Sequence, residues 1–428
     1  MTAVRPLPGS ELCVHCGFCL QACPTYLTLD DENDSPRGRI VLMKALAAGT
    51  LDPADDAVGL HLDQCLGCRA CETACPSGVP YGHLLEDTRA ALAAHRPGTW
   101  IERLVLFTFA NPAPMWVAMW FARMARAVGL SRVLLRAPGR LGVAMATLEA
   151  TRRPQGSPTT ANHSAPAAST PVRENVAVLT GCVMEGLLAP VNRATERVLA
   201  YNGYQLRAAP TQRCCGALHA HAGDRDTARL LARANIEAFD VSDAQYIAVN
   251  SAGCGAAMKD YAHLLADDAA WRDRATAFSA RVRDVSELLA AAGPHPAQTA
   301  TPGRVAVDHP CHLVHGQRLS SAPAKVLGAV HGLDSDELPD AAQCCGSAGL
   351  YSLAQPDLSR QILSPKIDGI VASGARTVVT GNPGCMMHIG AGLLRAGSDV
   401  AVRHPVELLD AAYTAQRAAP SAAIEVSR

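Results

Sequence analysis

Three things are scarce in this chain of 428 residues: aromatic side chains, surplus charge and long apolar runs. Phenylalanine, tyrosine and tryptophan together make up 4% of the residues, and the formal net charge is −1. A protein without a basic surplus is not expected to bind nucleic acid. Since no uninterrupted apolar run reaches about 18 residues, no transmembrane helix is predicted.

Targeting and cofactor motifs are scarce as well. The N-terminus, from Met1 to Pro8, has no apolar stretch of the kind found in signal peptides, so we predict a cytoplasmic protein. No glycine-rich dinucleotide fingerprint follows a predicted strand, and no glycine-rich phosphate loop is present. We therefore expect no catalytic residue in this chain and no dehydrogenase activity of its own.

Cysteine, in contrast, is abundant and regularly spaced. Two runs share the pattern C-x2-C-x2-C-x3-C followed by proline, and they comprise Cys13, Cys16, Cys19 and Cys23, then Cys65, Cys68, Cys71 and Cys75. Disulfides and structural zinc are the alternatives, but zinc sites use pairs of pairs rather than three plus one. Such ligand spacing also favours a reducing compartment.

The pattern predicts two [4Fe–4S] clusters with exchanged ligands, because the fourth cysteine of such a run binds the other cluster in two-cluster ferredoxins. The expected ligands are Cys13, Cys16, Cys19 and Cys75 for the first cluster, and Cys65, Cys68, Cys71 and Cys23 for the second. We place both clusters in a small, mainly helical, ferredoxin-like domain over residues 1–97.

A helix is predicted between the two runs, with Ser35 as its N-cap and Pro36 as its first residue. Arg37 and Arg39 near its start either offset the negative charge of a neighbouring cluster or belong to a solvated helix end. A further helix is predicted from Tyr81 to Ala94.

Residues 98–151 form a predicted helical segment rich in tryptophan, phenylalanine and methionine. The stretch Asn111 to Pro114 divides it into two helices, and it is followed by Arg123, Arg126, Arg132, Arg136 and Arg140. Such a segment lies on a membrane surface, lies against a partner subunit, or packs as a hairpin on the C-terminal domains. Residues 152–174, rich in proline, serine, threonine and alanine, are predicted to be a flexible linker.

The remainder of the chain contains an internal repeat, with halves at 175–295 and 303–415. Each half has four cysteines at matched intervals: Cys182, Cys214, Cys215 and Cys254, then Cys311, Cys344, Cys345 and Cys385. The outer cysteines follow short apolar strands and precede helical stretches, which predicts two α/β halves with mostly parallel sheets. Because loops at the carboxyl edge of such a sheet meet over one crevice, we expect each set of four to converge.

Three interpretations of these eight cysteines remain open: a further iron–sulfur cluster in one or both halves, zinc, or a redox thiol site. Buried cysteines that merely pack as small apolar residues do not explain two copies at matched spacing. Adjacent cysteines strain a disulfide between themselves, so we favour metal or cluster ligation.

Both halves resemble the CCG-type cysteine-rich domain of heterodisulfide reductase subunits and of iron–sulfur subunits of flavin dehydrogenases. The whole chain resembles the iron–sulfur subunits of glycolate oxidase (glycolate dehydrogenase), and more loosely those of lactate-utilisation and anaerobic glycerol-3-phosphate dehydrogenase systems. The stretches that carry this resemblance begin at Cys13, Asp34, His61, Cys71, Ser251 and Cys344. The heterodisulfide reductase pattern has a fifth cysteine, in a C-x2-C pair with the last one, and this cysteine is missing here. The positions three residues before and after Cys254 hold Ser251 and Ala257, and those before and after Cys385 hold Asn382 and His388.

The resemblance implies an oxidoreductase subunit that transfers electrons and has no dehydrogenase site of its own. An FAD-bearing partner would oxidise glycolate to glyoxylate, and this chain would pass the electrons to a quinone or another membrane acceptor. Peripheral association with the inner face of the cytoplasmic membrane is compatible with this role. The alternative from another class is a heterodisulfide-reductase-like thiol-redox enzyme.

Overall fold

A computed structural model describes residues 7–152 and 170–418. Most of the predicted linker, residues 153–169, lies outside the described residues. The predicted fold class is confirmed: a helical region that carries both cysteine runs is followed by a helical segment and by two α/β halves with parallel sheets.

The helical region that carries the two cysteine runs is built around α2 and α5. Ser35 Oγ accepts a hydrogen bond of 3.0 Å from the backbone N–H of Gly38, so α2 begins at Pro36 as the sequence predicts. A shared core of apolar side chains, including Met43 and Leu84, lies beneath both helices. The helices are α1 (Pro24–Leu29), α2 (Pro36–Ala47), α3 (Asp56–Asp63), α4 (Ala70–Thr73) and α5 (Tyr81–Ala93), with 3-10 turns at Ser10–Leu12 and Glu32–Asp34.

The segment that follows contains four helices: α6 (Trp100–Ala110), α7 (Pro112–Ala127), α8 (Leu130–Leu134) and α9 (Gly139–Glu149). The break between α6 and α7 falls at Asn111, where the sequence predicts it. Neither of these two helices has a fully buried side chain among the described residues. These two helices therefore pack on the rest of the chain only in part, with α7 against the first half. The later helix α9 packs against the second half.

The apolar character of α6 and α7 does not amount to a straight membrane span. Within the described residues, no individual helix combines the length and the hydropathy needed to cross a bilayer. The two helices reach that hydropathy only when taken together, and they are bent by 108° relative to each other.

The first α/β half is a four-stranded parallel sheet with strand order β2-β1-β3-β4. Its strands are β1 (Asn175–Val178), β2 (Gln205–Arg207), β3 (Tyr246–Val249) and β4 (Val282–Asp284). Its helices are α10 (Cys182–Leu187), α11 (Ala189–Tyr201), α12 (Ala217–His221), α13 (Arg225–Asp240), α14 (Ala252–Lys259), α15 (Tyr261–Leu264), α16 (Arg272–Arg281) and α17 (Val285–Ala292).

The second half repeats this topology with strand order β10-β9-β6-β8, also parallel throughout. Its strands are β6 (Val305–Val307), β8 (Ser335–Glu337), β9 (Thr377–Val379) and β10 (Ala401–Arg403), while β5 (Ala297–Gln298) and β7 (Val330–His331) form a separate pair. Its helices are a π-helical turn at His312–Gly316, α18 (Ala322–Gly328), α19 (Tyr351–Ala354), α20 (Pro356–Ala372), α21 (Pro383–Arg395) and α22 (Pro405–Ala418). Each sheet therefore has its first strand beside its second and third, which confirms the internal repeat.

The two halves pack on each other reciprocally. The last helix of the second half, α22, lies on α11 of the first, and the last helix of the first half, α17, lies on α18 of the second. Arg197 on α11 forms a two-pronged ion pair with Asp410 on α22, at 2.9 and 2.6 Å. One apolar core therefore contains residues of both halves, such as Val198 and Leu409.

The second half also contains a buried ion pair beneath its sheet edge. Lys366 on α20 donates to Asp308, which follows β6, and to the carbonyl oxygens of Asp340 and Ala341 at 3.1 and 3.2 Å. Lys366 is 7% exposed and Asp308 is 3% exposed. Thr380 donates to the other carboxylate oxygen of Asp308 at 2.7 Å, so the pair is fully hydrogen-bonded.

We expect Lys366→Met to destabilise the protein by about 3–5 kcal/mol, because it leaves the carboxylate of Asp308 buried without its cation. Chemical denaturation followed by circular dichroism measures the change. Lys325→Met, at an exposed lysine of α18, is the matched control and should shift the midpoint little. Equal shifts for the two variants would contradict a structural role of the pair.

Candidate functional site

Most cysteines of the first run line a small cavity near the surface of the helical region. The thiols around it are those of Cys13, Cys16, Cys19, Cys71 and Cys75. Cys75 comes from the second run, and it joins the three leading cysteines of the first. This grouping is the one that exchanged ligation requires.

A second, more enclosed cavity is lined by Cys23, Cys65, Cys68 and Cys71. All four of these residues are buried. Among its described lining residues, Cys23 is the only thiol from the first run, so the exchange is reciprocal. Cys71 borders both cavities, because α4 lies between them. The thiol-only donor sets fit iron–sulfur clusters, and the ligand assignment remains a prediction.

Arg39 lies completely buried beside the second cavity. Its guanidinium donates to Thr25 Oγ1 at 2.9 Å, to Asp34 Oδ1 at 2.9 Å and to the carbonyl of His61 at 2.6 Å, and one nitrogen lies 4.0 Å from Cys23 Sγ. Burial raises the pKa of the Cys23 thiol, and the charge of Arg39 opposes that rise. Arg39 is thus held where it can offset the negative charge of a cluster.

Arg37, in contrast, borders the first cavity at the surface. It donates to the carbonyl of His15 at 3.2 Å and pairs with Glu32 at 2.6 Å. The two arginines proposed from the sequence therefore face different cavities, and only Arg39 is buried.

The four cysteines of the first α/β half are brought together at the carboxyl edge of its sheet. Cys182 begins α10 after β1, Cys254 lies in α14 after β3, and the pair Cys214–Cys215 lies in the loop before α12. Gly216 follows this pair with φ 83°, a left-handed conformation that turns the loop back on itself.

Their thiols are in contact with one another. The Sγ atoms of Cys182 and Cys214 lie 3.6 Å apart, and Cys215 is hydrogen-bonded to both Cys214 and Cys254. Hydrogen bonding with Cys182 and Cys215 lowers the pKa of Cys214, while hydrogen bonding with Cys214 and burial raise that of Cys182. Thiolates this close together repel one another, so full ionisation of the group needs a metal cation or cluster.

The second half repeats this arrangement with Cys311 after β6, Cys385 in α21 after β9, and Cys344–Cys345 in the loop ahead of α19. Cys344 is hydrogen-bonded to Cys311 and Cys345, and Cys345 to Cys385. Gly346 has φ 82°, which matches the glycine of the first half.

Asn382 lies three residues before Cys385, at one of the two flanking positions where no fifth cysteine occurs. Its amide nitrogen donates to Cys385 Sγ at 3.4 Å. Its amide oxygen accepts from the backbone N–H of Gly253 at 3.2 Å, next to Cys254 in the first half. Asn382 therefore forms a hydrogen-bonded bridge between the cysteine groups of the two halves.

One contact was not foreseen from the sequence: Cys68 of the helical region touches the cysteines of the second half. A hydrogen bond from the Cys344 thiol lowers the pKa of Cys68, and an apolar cluster contains Cys68, Cys311 and Cys344. No spacing rule relates these residues, because the contact arises from how the helical region docks on the second half. Within the helical region, Tyr81 donates to Cys65 Sγ at 3.5 Å, whereas the sequence identified Tyr81 only as the start of a helix.

A cleft of about 1660 Å³ opens between α6, the helical region and both halves. Its wall includes Cys65, and therefore extends to the edge of the second cavity. Trp100, Leu104 and Phe107 of α6 form one side, and Tyr351 of α19 lies on another. The cleft is larger than the roughly 300–1,000 Å³ of typical small-molecule sites.

Comparison with known protein families assigns the three cysteine-bearing parts of the chain. Residues 9–79 match the 4Fe-4S dicluster domain, and residues 176–259 and 305–390 match the CCG cysteine-rich domain. The matched ranges contain all sixteen cysteines, and each CCG match lies within one of the two α/β halves.

Three relatives illustrate how far the similarity extends. The probable glycolate oxidase iron–sulfur subunit of Bacillus subtilis (strain 168) is 37% identical over 421 residues, covering 93% of this chain and 92% of the relative. The glycolate oxidase iron–sulfur subunit of Escherichia coli (strain K12) is 34% identical over 409 residues, covering 94% and 93%. Lactate utilization protein A of Exiguobacterium sp. (strain ATCC BAA-1283 / AT1b) is 32% identical over 237 residues, covering 55% of this chain and 97% of the relative.

If the two cysteine runs exchange their fourth ligands, specific pairs of cysteine variants should lose the same cluster. Cys75→Ser and Cys16→Ser should perturb the same cluster signal, and Cys23→Ser and Cys68→Ser should perturb the other, each with a loss of about four irons per chain. Low-temperature electron paramagnetic resonance of the reduced protein separates the two signals. If Cys75→Ser instead matched Cys68→Ser, each run would hold its own cluster.

Iron analysis tests whether the two α/β halves hold clusters. We expect Cys215→Ser and Cys345→Ser to lower the iron bound per chain, because each removes a central thiol of its group. Ser242→Ala, at a buried hydroxyl that bonds only the Phe239 carbonyl, is the control and should keep the iron of the unmodified chain. Iron at the level of two clusters in every variant and in the unmodified chain would leave these halves without clusters.

Proposed function

Because this chain belongs to the family of glycolate oxidase iron–sulfur subunits, we propose that it is the electron-transfer subunit of a glycolate oxidase-type complex. The observation that carries this proposal is the contact between Cys68 and Cys344. It joins a ferredoxin-type cysteine group to a CCG group within one folded chain. Such continuity is what a carrier of electrons needs and a set of isolated structural sites does not.

The proposed ligands are the sixteen cysteines in their four groups. Cys13, Cys16, Cys19 and Cys75 would hold one [4Fe–4S] cluster, and Cys65, Cys68, Cys71 and Cys23 the other. The groups around Cys214–Cys215 and Cys344–Cys345 would hold further clusters. When bound, such clusters accept and release single electrons without proton chemistry of their own.

The side chains around these groups prepare them for that chemistry. Arg39 and Tyr81 present a guanidinium and a hydroxyl to the thiols of Cys23 and Cys65. Hydrogen bonds and positive charge near cysteine sulfur stabilise the reduced, more negative state of a site. Lys366 supplies a buried cation beside Cys345 and Cys385, although Asp308 neutralises much of its charge.

The proposed partner is an FAD-bearing subunit that removes two electrons and two protons from glycolate and releases glyoxylate. The proposed acceptor is a quinone, which takes up two electrons and two protons to become a quinol. The cleft that borders Cys65 supports access of an acceptor to the buried group of cysteines. Its apolar side, formed by α6, suits the planar, largely apolar ring of a quinone.

The length over which the relatives align with this chain favours glycolate over lactate as the partner's substrate. The two relatives named for glycolate oxidase align with 93% and 94% of this chain, whereas the lactate utilization protein aligns with 55%. The thiol-redox alternative is disfavoured because neither half has a fifth cysteine beside its last one, and Asn382, three residues before Cys385, is instead hydrogen-bonded to it.

The test is a comparison of the purified chain with and without its flavoprotein partner. Alone, the chain should show cluster absorbance and no glycolate oxidation. With the partner and glycolate, its clusters should be reduced, and the rate should fall in the Cys68→Ser variant. Turnover of glycolate by the isolated, flavin-free chain would overturn the division of labour.

A further inference from the structure

The outer face of α7 is an exposed apolar surface. It comprises six residues at helical spacing, hereafter the α7 face: Trp116, Val117, Trp120, Phe121, Met124 and Val128. Trp116 is 67% exposed, Phe121 is 61% exposed and Val128 is 72% exposed. Contiguous large apolar side chains left in water mark an interaction surface in most soluble domains.

The opposite side of α7 is already used for packing on the first α/β half. Met119 lies against Gly186, and Arg123 donates to the carbonyl of Gly186 at 2.7 Å. The orientation of α7 is therefore fixed by the fold. The α7 face is held outward by these contacts rather than exposed by fraying.

The charged side chains in the sequence around the α7 face are all positive. No aspartate or glutamate occurs between Glu102 and Glu149, while this stretch contains six arginines. Arg132, Arg136 and Arg140 among them are exposed. This local excess of positive charge contrasts with the net charge of −1 of the whole chain.

We propose that the α7 face lies on an anionic lipid bilayer, with the arginines of this segment at the phosphate groups. Helices that lie in the membrane interface combine tryptophan and phenylalanine on one face with basic residues around it. The bend of 108° after α6 fits a segment that lies along the interface rather than one that crosses it. The lack of acidic residues between Glu102 and Glu149 favours a uniformly anionic surface over a protein partner, whose interface mixes both signs of charge.

This inference rests on the proposed function and deepens it, because it places the cleft relative to the lipid. The α6 side chains Trp100, Leu104 and Phe107 line the cleft that reaches Cys65, and α6 is joined to α7 at Asn111. Docking through the α7 face would therefore bring the cleft close to the bilayer. A quinone could then reach the cleft from the lipid phase.

The test is sedimentation of the full, cluster-loaded chain with vesicles of phosphatidylcholine, with or without phosphatidylglycerol. We expect binding to the anionic vesicles that weakens as salt is raised. Trp120→Ser combined with Phe121→Ser, and separately Arg132→Glu combined with Arg136→Glu, should each reduce binding by about tenfold. Quenching of tryptophan fluorescence by brominated lipid should accompany binding, since three of the four tryptophans lie in this segment.

Two controls match these variants. Val241→Ser removes an apolar side chain that is 80% exposed on the first half, and Arg207→Glu reverses an exposed charge on β2. Both should bind vesicles like the unmodified chain. Absence of binding to anionic vesicles, or equal binding by all variants, would overturn the proposal.

Reduction of the clusters by the flavoprotein partner in solution separates this inference from the proposed function. The α7-face variants should be reduced at the unmodified rate, because docking on lipid is not needed for that step. If they instead lose binding to the partner and retain vesicle binding, the α7 face is a subunit interface and the lipid proposal is wrong. Failure of reduction in the unmodified chain would contradict the proposed function and leave vesicle binding as an independent result.

Discussion

The arrangement depends on gathering sixteen thiols into four groups within a folded interior. Burial favours the neutral thiol, whereas a metal or cluster ligand must be a thiolate. The pKa shifts of Cys182 and Cys214 have opposite directions, because the two thiols are hydrogen-bonded to each other in a buried site. Since only a bound cationic centre lets all four thiols of a group ionise, folding of these loops and loading of the cofactor are coupled.

The two α/β halves have the same topology and different surroundings. The second half meets the helical region through a cysteine contact, between Cys344 and Cys68. Asn382 then connects the second group to the first through Gly253. The two halves therefore have equivalent folds and equivalent cysteine groups. They differ in their contacts with the rest of the protein.

Most of what could be predicted from the sequence followed from the spacing of residues along the chain. The intervals between Cys182, Cys214 and Cys254 recur in the second half, and parallel-sheet geometry then requires the thiols to meet at one edge. The N-cap at Ser35 and the break at Asn111 are similarly local, and both are confirmed. The contact of Cys68 with Cys344 could not be predicted, because docking of one domain on another leaves no periodic signal. Helical periodicity likewise identified an apolar side of α7 but could not tell what covers it.

The reciprocal packing of α22 on α11 and of α17 on α18 has a consequence for the history of the molecule. Each half covers its neighbour with its own last helix, as the two subunits of a twofold-symmetric dimer do when identical patches face each other. A single half would leave the apolar side of its first long helix in water. The packing is therefore the one that duplication and fusion of a homodimeric single half would produce, with the apolar sides of both long helices covered inside one chain.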